Sequence, residues 1–228
     1  PVEPHRRRMV AIALRLQRAR ESARATRRAL EQRRPLPPAD PLAYATPAAL
    51  ATDLETFAES LAAGGAPRTA RGPLDRWRRG VAALGFHLAA LDIRDERDHH
   101  LAACRALADA AGAPPYPIDG RRDGRLAWAE ARLVGPPLMP RGAGRDPGTR
   151  EILDTMQVGR EARDRHGPGA IGAWIVSQAR EAADIALVHV LAATAGLVST
   201  GPLRSALRVV PLFETLADLE SAPAAIAD

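Results

Sequence analysis

Apolar positions along this chain recur with two different periods. Near the N-terminus, Val10, Leu14 and Leu16, with Ile12 and Ala19 close by, stand at helical spacing among arginines, which predicts one long helix over residues 4–33. Residues 33–47 hold five prolines and read as a linker. Thr46-Pro47 then supplies a cap residue and a first-turn proline. Leu50, Leu54, Phe57 and Leu61 share one face of the helix that follows, and Gly64-Gly65 stops it. A further helix is expected over residues 73–84, with Trp77 and Leu84 turned to the core and Gly85 at its end.

The period changes to two at residues 86–94. Leu88, Ala90, Asp92 and Arg94 fall on one face of a strand, and His87, Ala89, Leu91 and Ile93 on the other. Asp92 and Arg94 therefore point the same way at its carboxyl end. Either they pair, or the Asp holds an Arg whose planar fork suits a phosphate or carboxylate. A helix carrying His99 and His100 follows to about residue 111. A Pro-rich connection (112–120) leads to a helix near 123–134 with Leu126, Trp128 and Leu133. A Pro/Gly-rich loop (135–148) precedes a helix over 149–165, whose core candidates are Ile152, Leu153, Met156 and Val158. Residues 170–178 form a second strand, and a strongly apolar helix over 181–195 ends at Gly196.

The third strand, residues 207–213, runs into one carboxylate, Glu214, and Thr215 is placed to cap the next helix. So apolar a strand reads as parallel and covered on both faces. A charge at its carboxyl end sits where α/β enzymes place their ligands. The alternative is a carboxylate that caps the following helix or pairs with an arginine. Three strand–helix units (86–111, 170–195 and 207 onward) predict an α/β, mostly helical fold with three parallel strands and long extra helices. Three strands are too few to close a TIM-type (β/α)8 barrel, so a partial barrel is expected: residues 1–84 as a helical region leading into it, and 85–228 as barrel.

The chain has 228 residues and 24.3 kDa, begins with Pro1 rather than Met, and reads as a segment of a longer single-chain protein. No run is long enough to span a membrane, and no signal-peptide pattern is present. The net charge of +5 invites a nucleic-acid reading. It carries little weight: Lys and Asn are absent, every strong base is Arg, and this matches a chain-wide bias toward GC-rich codons. Acidic residues are interspersed with the arginines, and the 4 % of aromatics gives few stacking platforms for single strands.

Several chemistries are excluded. There is no Gly-rich phosphate loop, no CxxC pair and no Gly-x-Ser-x-Gly elbow around Ser177. His99 and His100 are about 100° apart on a helix, poor geometry for one metal, so surface or capping roles are expected. His87 and His189 read as satisfied core histidines, and the single Cys104 as helix packing in a reducing compartment. What remains is positional: Arg94, Ser177-Gln178 and Glu214 all fall at carboxyl ends of strands. If the strands are parallel, the three meet at one rim, where a guanidinium and a carboxylate can serve an anionic substrate and a hard cation together.

Several stretches resemble the phosphoenolpyruvate carboxylase family: Glu3-Pro4-His5-Arg6; Gly85-Phe86-His87-Leu88 through Leu91-Asp92-Ile93-Arg94-Asp95-Glu96; Ile175-Val176-Ser177-Gln178-Ala179 to Asp184; Ala193-Thr194-Ala195-Gly196-Leu197; and Val210-Pro211-Leu212-Phe213-Glu214-Thr215-Leu216. They occur in the family's order across essentially the whole chain. The resemblance implies a helix-swollen (β/α)8 barrel, a cytoplasmic homotetramer at full length, and carboxylation of phosphoenolpyruvate by bicarbonate to oxaloacetate and phosphate with Mg²⁺ or Mn²⁺. It makes Arg94 the catalytic, substrate-binding arginine at the phosphate and Glu214 one of two metal carboxylates. Three positions depart from the family pattern: Asp95 where Gln is usual, and Gln178 and Ala183 where Met and Ser are usual. The second metal carboxylate and the catalytic histidines match no position within 1–228, so the segment alone is expected to be inactive. Two other readings stand beside this one: a different Mg²⁺-dependent barrel enzyme acting on phosphoenolpyruvate or pyruvate, and a non-catalytic helical interaction module. Neither membrane nor nucleic-acid partners are expected.

Overall fold

The Thr46 hydroxyl accepts a hydrogen bond from the Ala49 amide at 3.2 Å, and helix α2 (Pro47–Ala63) starts at the cap that its sequence signals. The structure is a computed structural model; it describes residues 3–139, 146–200 and 203–227. The middle of the expected Pro/Gly loop, residues 140–145, lies outside the described residues. Two compact units form, one from residues 1–89 with 165–169, the other from 90–164 with 170–228.

The first unit is helical: α1 (Pro4–Glu31), α2, α3 (Pro67–Arg71) and α4 (Pro73–Leu84). Its core gathers Ile12, Leu50, Leu54, Phe57 and Leu74 around the buried ring of Tyr44. The expected stripe on α1 is narrower than the sequence implies. Ile12 is buried and Leu16 packs beside it, whereas Val10 and Leu14 are exposed. Two residues along a helix turn a side chain by about 200°, so Val10 and Leu14 face away from Ile12. Trp77 and Leu84 are also exposed, against expectation. The packed face of α4 centres on Leu74 and Val81, one heptad apart, and Trp77 and Leu84 lie on its flank. Asp53 joins the elements: its carboxylate accepts from Arg15 at 2.9 Å, Arg8 at 3.2 Å and the Tyr44 hydroxyl at 2.7 Å.

The second unit is built on a three-stranded parallel sheet in the order β1 (Leu91–Glu96), β2 (Ile171–Ser177), β5 (Val209–Pro211). Mostly helical composition with a parallel sheet is the expected α/β pattern. Helices α5 (Arg97–Ala110), α6 (Arg122–Val134) and α7 (Pro147–His166) lie between the first two strands. Helix α8 (Ala182–Thr194) and an antiparallel hairpin, β3 (Val198–Thr200) with β4 (Leu203–Ser205), lie between the last two, and α9 (Leu216–Ala227) follows. β2 is the central strand, with Trp174 and Val176 fully enclosed. Leu187, Val188 and Leu191 of α8 complete the same core. Truncating one such leucine to alanine costs about 2–5 kcal/mol.

Three expectations for this unit need correction, and one element was missed. The first strand begins at Leu91, not Phe86; Gly85 (φ 54°) and Leu88 (φ 63°) bend the preceding residues into a turn. The third strand is short and half-exposed rather than covered on both faces. Pro211 cannot donate to a ladder, which suits a strand with no further neighbour among the described residues. Val158 of α7 is exposed, while Ile152, Leu153 and Met156 are buried as expected. The β3–β4 hairpin was not legible, because three-residue strands are too short to show a period.

Candidate active site

Parallel pairing carries the carboxyl ends of all three strands to one rim. Arg94 lies opposite Ile175 and Glu96 opposite Ser177, and β2 continues the register to Val210 and Pro211. Beyond the ladder, the Leu212 amide donates to the Val176 carbonyl at 2.8 Å and the Ala179 amide to the Leu212 carbonyl at 3.1 Å. These bonds fix the segment that carries Glu214 beside the end of β2.

At this rim the side chains converge. Arg94 donates through Nε to the Ser177 hydroxyl at 2.7 Å and through Nη2 to Glu214 Oε1 at 2.6 Å. Ser177 is buried, whereas the Arg94 and Glu214 side chains are 58 % and 37 % exposed, so the charged pair is open to ligand. Of the two readings of Glu214, the arginine's partner is the one this contact meets. Gln178, the other rim residue, is exposed and held at φ 58°, a left-handed conformation that non-glycine residues adopt at some cost and that recurs at ligand sites.

Asp92 does not hold Arg94. Its Oδ1 accepts from the Ala173 amide at 2.8 Å and lies against the bare Cα of Gly172, where a Cβ would collide with it. Asp95, the departure that places a negative charge next to Arg94 in sequence, turns away from it, as alternation along a strand requires. It accepts from the Glu96 amide at 2.7 Å and from His99 Nδ1 at 2.8 Å, a bond that raises the His99 pKa. Beside the rim an open cleft of about 350 Å³ is lined by Arg94, Asp95, His99, Thr149 and Trp174.

His100 corrects the expectation of a surface or capping histidine. It is fully buried, and its Nε2 accepts from the Trp174 indole at 2.9 Å. Burial lowers its pKa to about 4, so the ring is neutral near pH 7. The sequence carries the signal: His100, Ala103, Cys104 and Leu107 follow i, i+3, i+4, i+7 spacing and share the buried face of α5. Cys104 packs as expected, with burial pushing its thiol pKa far up. His189 is partly buried and bonds the Ile185 carbonyl at 3.1 Å. His87 is not in a strand, and its Nδ1 has no partner among the described residues.

A buried ionic layer lies behind the rim. Arg97 Nε donates to Asp184 Oδ1 at 2.9 Å, and Asp184 Oδ2 accepts from the Arg180 and Glu181 amides at 2.8 and 3.1 Å. Glu181 and Asp184 form a reciprocal cap at the start of α8, and Arg125 grips Glu181 with two bonds of 2.6 Å. Burial pushes the Asp184 carboxyl up, against the lowering pull of the Arg180 amide and Arg97. An acid-x-x-acid cap was readable in the sequence; its arginine partners, 56 and 87 residues away, were not. At the third strand, the Thr215 hydroxyl accepts from the Asp218 amide at 3.1 Å and Asp218 accepts from the Thr215 amide at 3.0 Å, the expected cap. Ala183, the third departure, is buried in α8, where a side chain without a polar group fits the apolar packing.

Among the described residues, no group of three or more His, Cys, Asp or Glu side chains is arranged to hold a metal. Glu214 offers one hard oxygen donor at the rim, a partial fit to a Mg²⁺ site, since this ion takes one or two carboxylates and completes its shell with water and substrate oxygens.

A family model described as phosphoenolpyruvate carboxylase matches residues 1–228. The chain is 36 % identical over 173 residues to a phosphoenolpyruvate carboxylase of Rhodopseudomonas palustris, covering 75 % of this chain and 18 % of the relative. It is 36 % identical over 171 residues to that of Edwardsiella ictaluri, covering 75 % and 18 %. Against that of a Synechococcus strain it is 34 % identical over 145 residues, covering 63 % and 14 %. The chain thus spans less than a fifth of the length of these relatives. Matched along its whole length, the chain, whose Arg94 and Glu214 meet at one rim, belongs to the phosphoenolpyruvate carboxylase family.

Proposed function

We propose that the protein containing this chain carboxylates phosphoenolpyruvate with bicarbonate, giving oxaloacetate and phosphate. The observation that carries the reading is the Arg94–Ser177–Glu214 cluster at the carboxyl rim of a parallel sheet. Arg94 presents an always-charged planar fork, suited to the phosphate of the substrate. As bicarbonate oxygen attacks phosphorus, the bond to the enol oxygen breaks, leaving carboxyphosphate and an enolate. Carboxyphosphate then releases carbon dioxide, and the enolate carbon attacks it. Charge on the transferring phosphoryl group spreads over its oxygens, and a guanidinium fixed beside them lowers the barrier without moving. A divalent cation, Mg²⁺ or Mn²⁺, would neutralise charge on the phosphoryl and enolate oxygens. Glu214 is the residue of this stretch that would hold it, and further ligands would come from elsewhere in the full chain. Arg94 already bonds Glu214 Oε1, so a cation held there would share the carboxylate with the guanidinium.

The parallel sheet with α-helical crossovers is read as part of a (β/α)8 barrel completed by the rest of the protein. A homotetrameric, cytoplasmic enzyme is the assembly that goes with this reading; no helix among the described residues is long and apolar enough to cross a membrane. The test is made in the full-length enzyme. Arg94→Lys is expected to lower bicarbonate-dependent oxaloacetate formation by at least about 100-fold, the scale for losing a preorganised charge partner of a transferring group. Glu214→Gln is expected to weaken Mn²⁺ binding measured by electron paramagnetic resonance. Activity and Mn²⁺ affinity at wild-type levels in both variants would overturn the reading.

A further inference from the structure

We infer that Ser177 is the positioning residue of Arg94: its hydroxyl, more than the Glu214 carboxylate, fixes the orientation in which the guanidinium meets a phosphate oxygen. This inference rests on the proposed function. An arginine that is 58 % exposed has several rotamers available, and its stem alone does not hold the fork still. Two contacts do so here. Ser177 takes Nε and Glu214 takes Nη2, so both lie along one edge of the planar group. Among the described residues Nη1 has no hydrogen-bond partner and remains available to a ligand oxygen.

The two anchors differ in permanence. Glu214 is 37 % exposed and follows β5 in an irregular segment, where it also has to serve a cation. Any charge that draws on its carboxylate weakens its grip on Arg94. Ser177 is 4 % exposed and is the last residue of the central strand. Its backbone pairs with Glu96 on one side, and the residues flanking it bond to Leu212 on the other. The backbone that carries the hydroxyl is therefore fixed, and a neutral acceptor does not lose its bond to Arg94 to a cation at Glu214. A serine also leaves the guanidinium its full charge for the ligand, where a second carboxylate would compete with the phosphate for it.

The experiment compares Ser177→Ala, Ser177→Thr and Arg94→Lys in the full-length enzyme. Removing the hydroxyl takes one charge-assisted bond from Arg94, worth about tenfold. Ser177→Ala is expected to raise the KM for phosphoenolpyruvate about tenfold and to leave the KM for bicarbonate within twofold, with an unchanged melting temperature. Ser177→Thr, which restores the hydroxyl, is expected to return the KM for phosphoenolpyruvate to within threefold of wild type. A wild-type KM in Ser177→Ala would overturn the inference, as would an equal rise for both substrates or failure of the threonine variant to rescue. Arg94→Lys separates the two levels of the argument. If it is inactive while Ser177→Ala behaves as wild type, only the positioning role falls; if it is fully active, the site assignment falls with it.

Discussion

Arg94 and Glu214, 120 residues apart in the chain, meet at 2.6 Å across the mouth of a three-stranded sheet. Both side chains are substantially exposed, so water and salt screen the attraction and it adds little to folding. A double-mutant cycle of Arg94→Ala and Glu214→Gln, read by urea unfolding, is expected to give a coupling of less than about 1 kcal/mol. A coupling well above that would make the pair a structural brace rather than a ligand site.

The pair behind it behaves in the opposite way. Asp184 is 1 % exposed and accepts from Arg97 and from two backbone amides. Asp184→Ala strands all three donors and is expected to destabilise the protein by about 3–5 kcal/mol. Denaturant midpoints measure this, and a loss below about 1 kcal/mol would show that water replaces the carboxylate readily.

Gly172 faces Asp92 so closely that an added Cβ overlaps the carboxylate oxygen. Gly172→Ala is expected to cost about 1–3 kcal/mol by overpacking and by breaking the Asp92 bond to the Ala173 amide. In the background Asp92→Ala, where only the Ala90 Cβ remains close at 3.3 Å, the same change is expected to cost less. Equal costs in both backgrounds would refute the steric account.

His100 predicts an acid-sensitive fold. Its pKa is lowered from 6.5 to about 4 by burial, with His99 adding repulsion and Asp95 opposing the fall. Between those values the unfolded chain binds a proton that the folded chain does not, so stability rises with pH across the window. The contribution is complete above about 6.5 and is lost as pH falls toward 4, on the order of 3 kcal/mol in all. Urea midpoints between pH 7 and pH 4 are expected to fall more steeply for wild type than for His100→Gln. Parallel slopes would remove His100 as the cause.

Much of both units was written locally. The caps at Thr46, Glu181 and Thr215, the glycine stop after α8 and the buried face of α8 each depend on residues within one or two turns. Such signals survive in the sequence because their partners are near. Even errors were local in kind: Leu88 carries a strand-like pattern but sits at φ 63°, because the turn begun at Gly85 overrides alternation. Hydrophobicity alone places Trp77 and Val158 in the core, although which flank of an amphipathic helix is covered depends on the neighbour.

By itself, the sequence determined the family likeness, the three strand–helix units, and the placement of Arg94, Ser177 and Glu214 at strand ends. Only the tertiary structure decided that Arg94 grips Ser177 and Glu214 rather than Asp92, that Asp95 turns to His99, and that His100 is buried against Trp174. The reason is geometric. Alternation and helical period fix the direction of a side chain relative to its own element, whereas its partner is set by the register between elements. In a parallel sheet that register is fixed by long crossovers and core packing, which no local run of residues encodes.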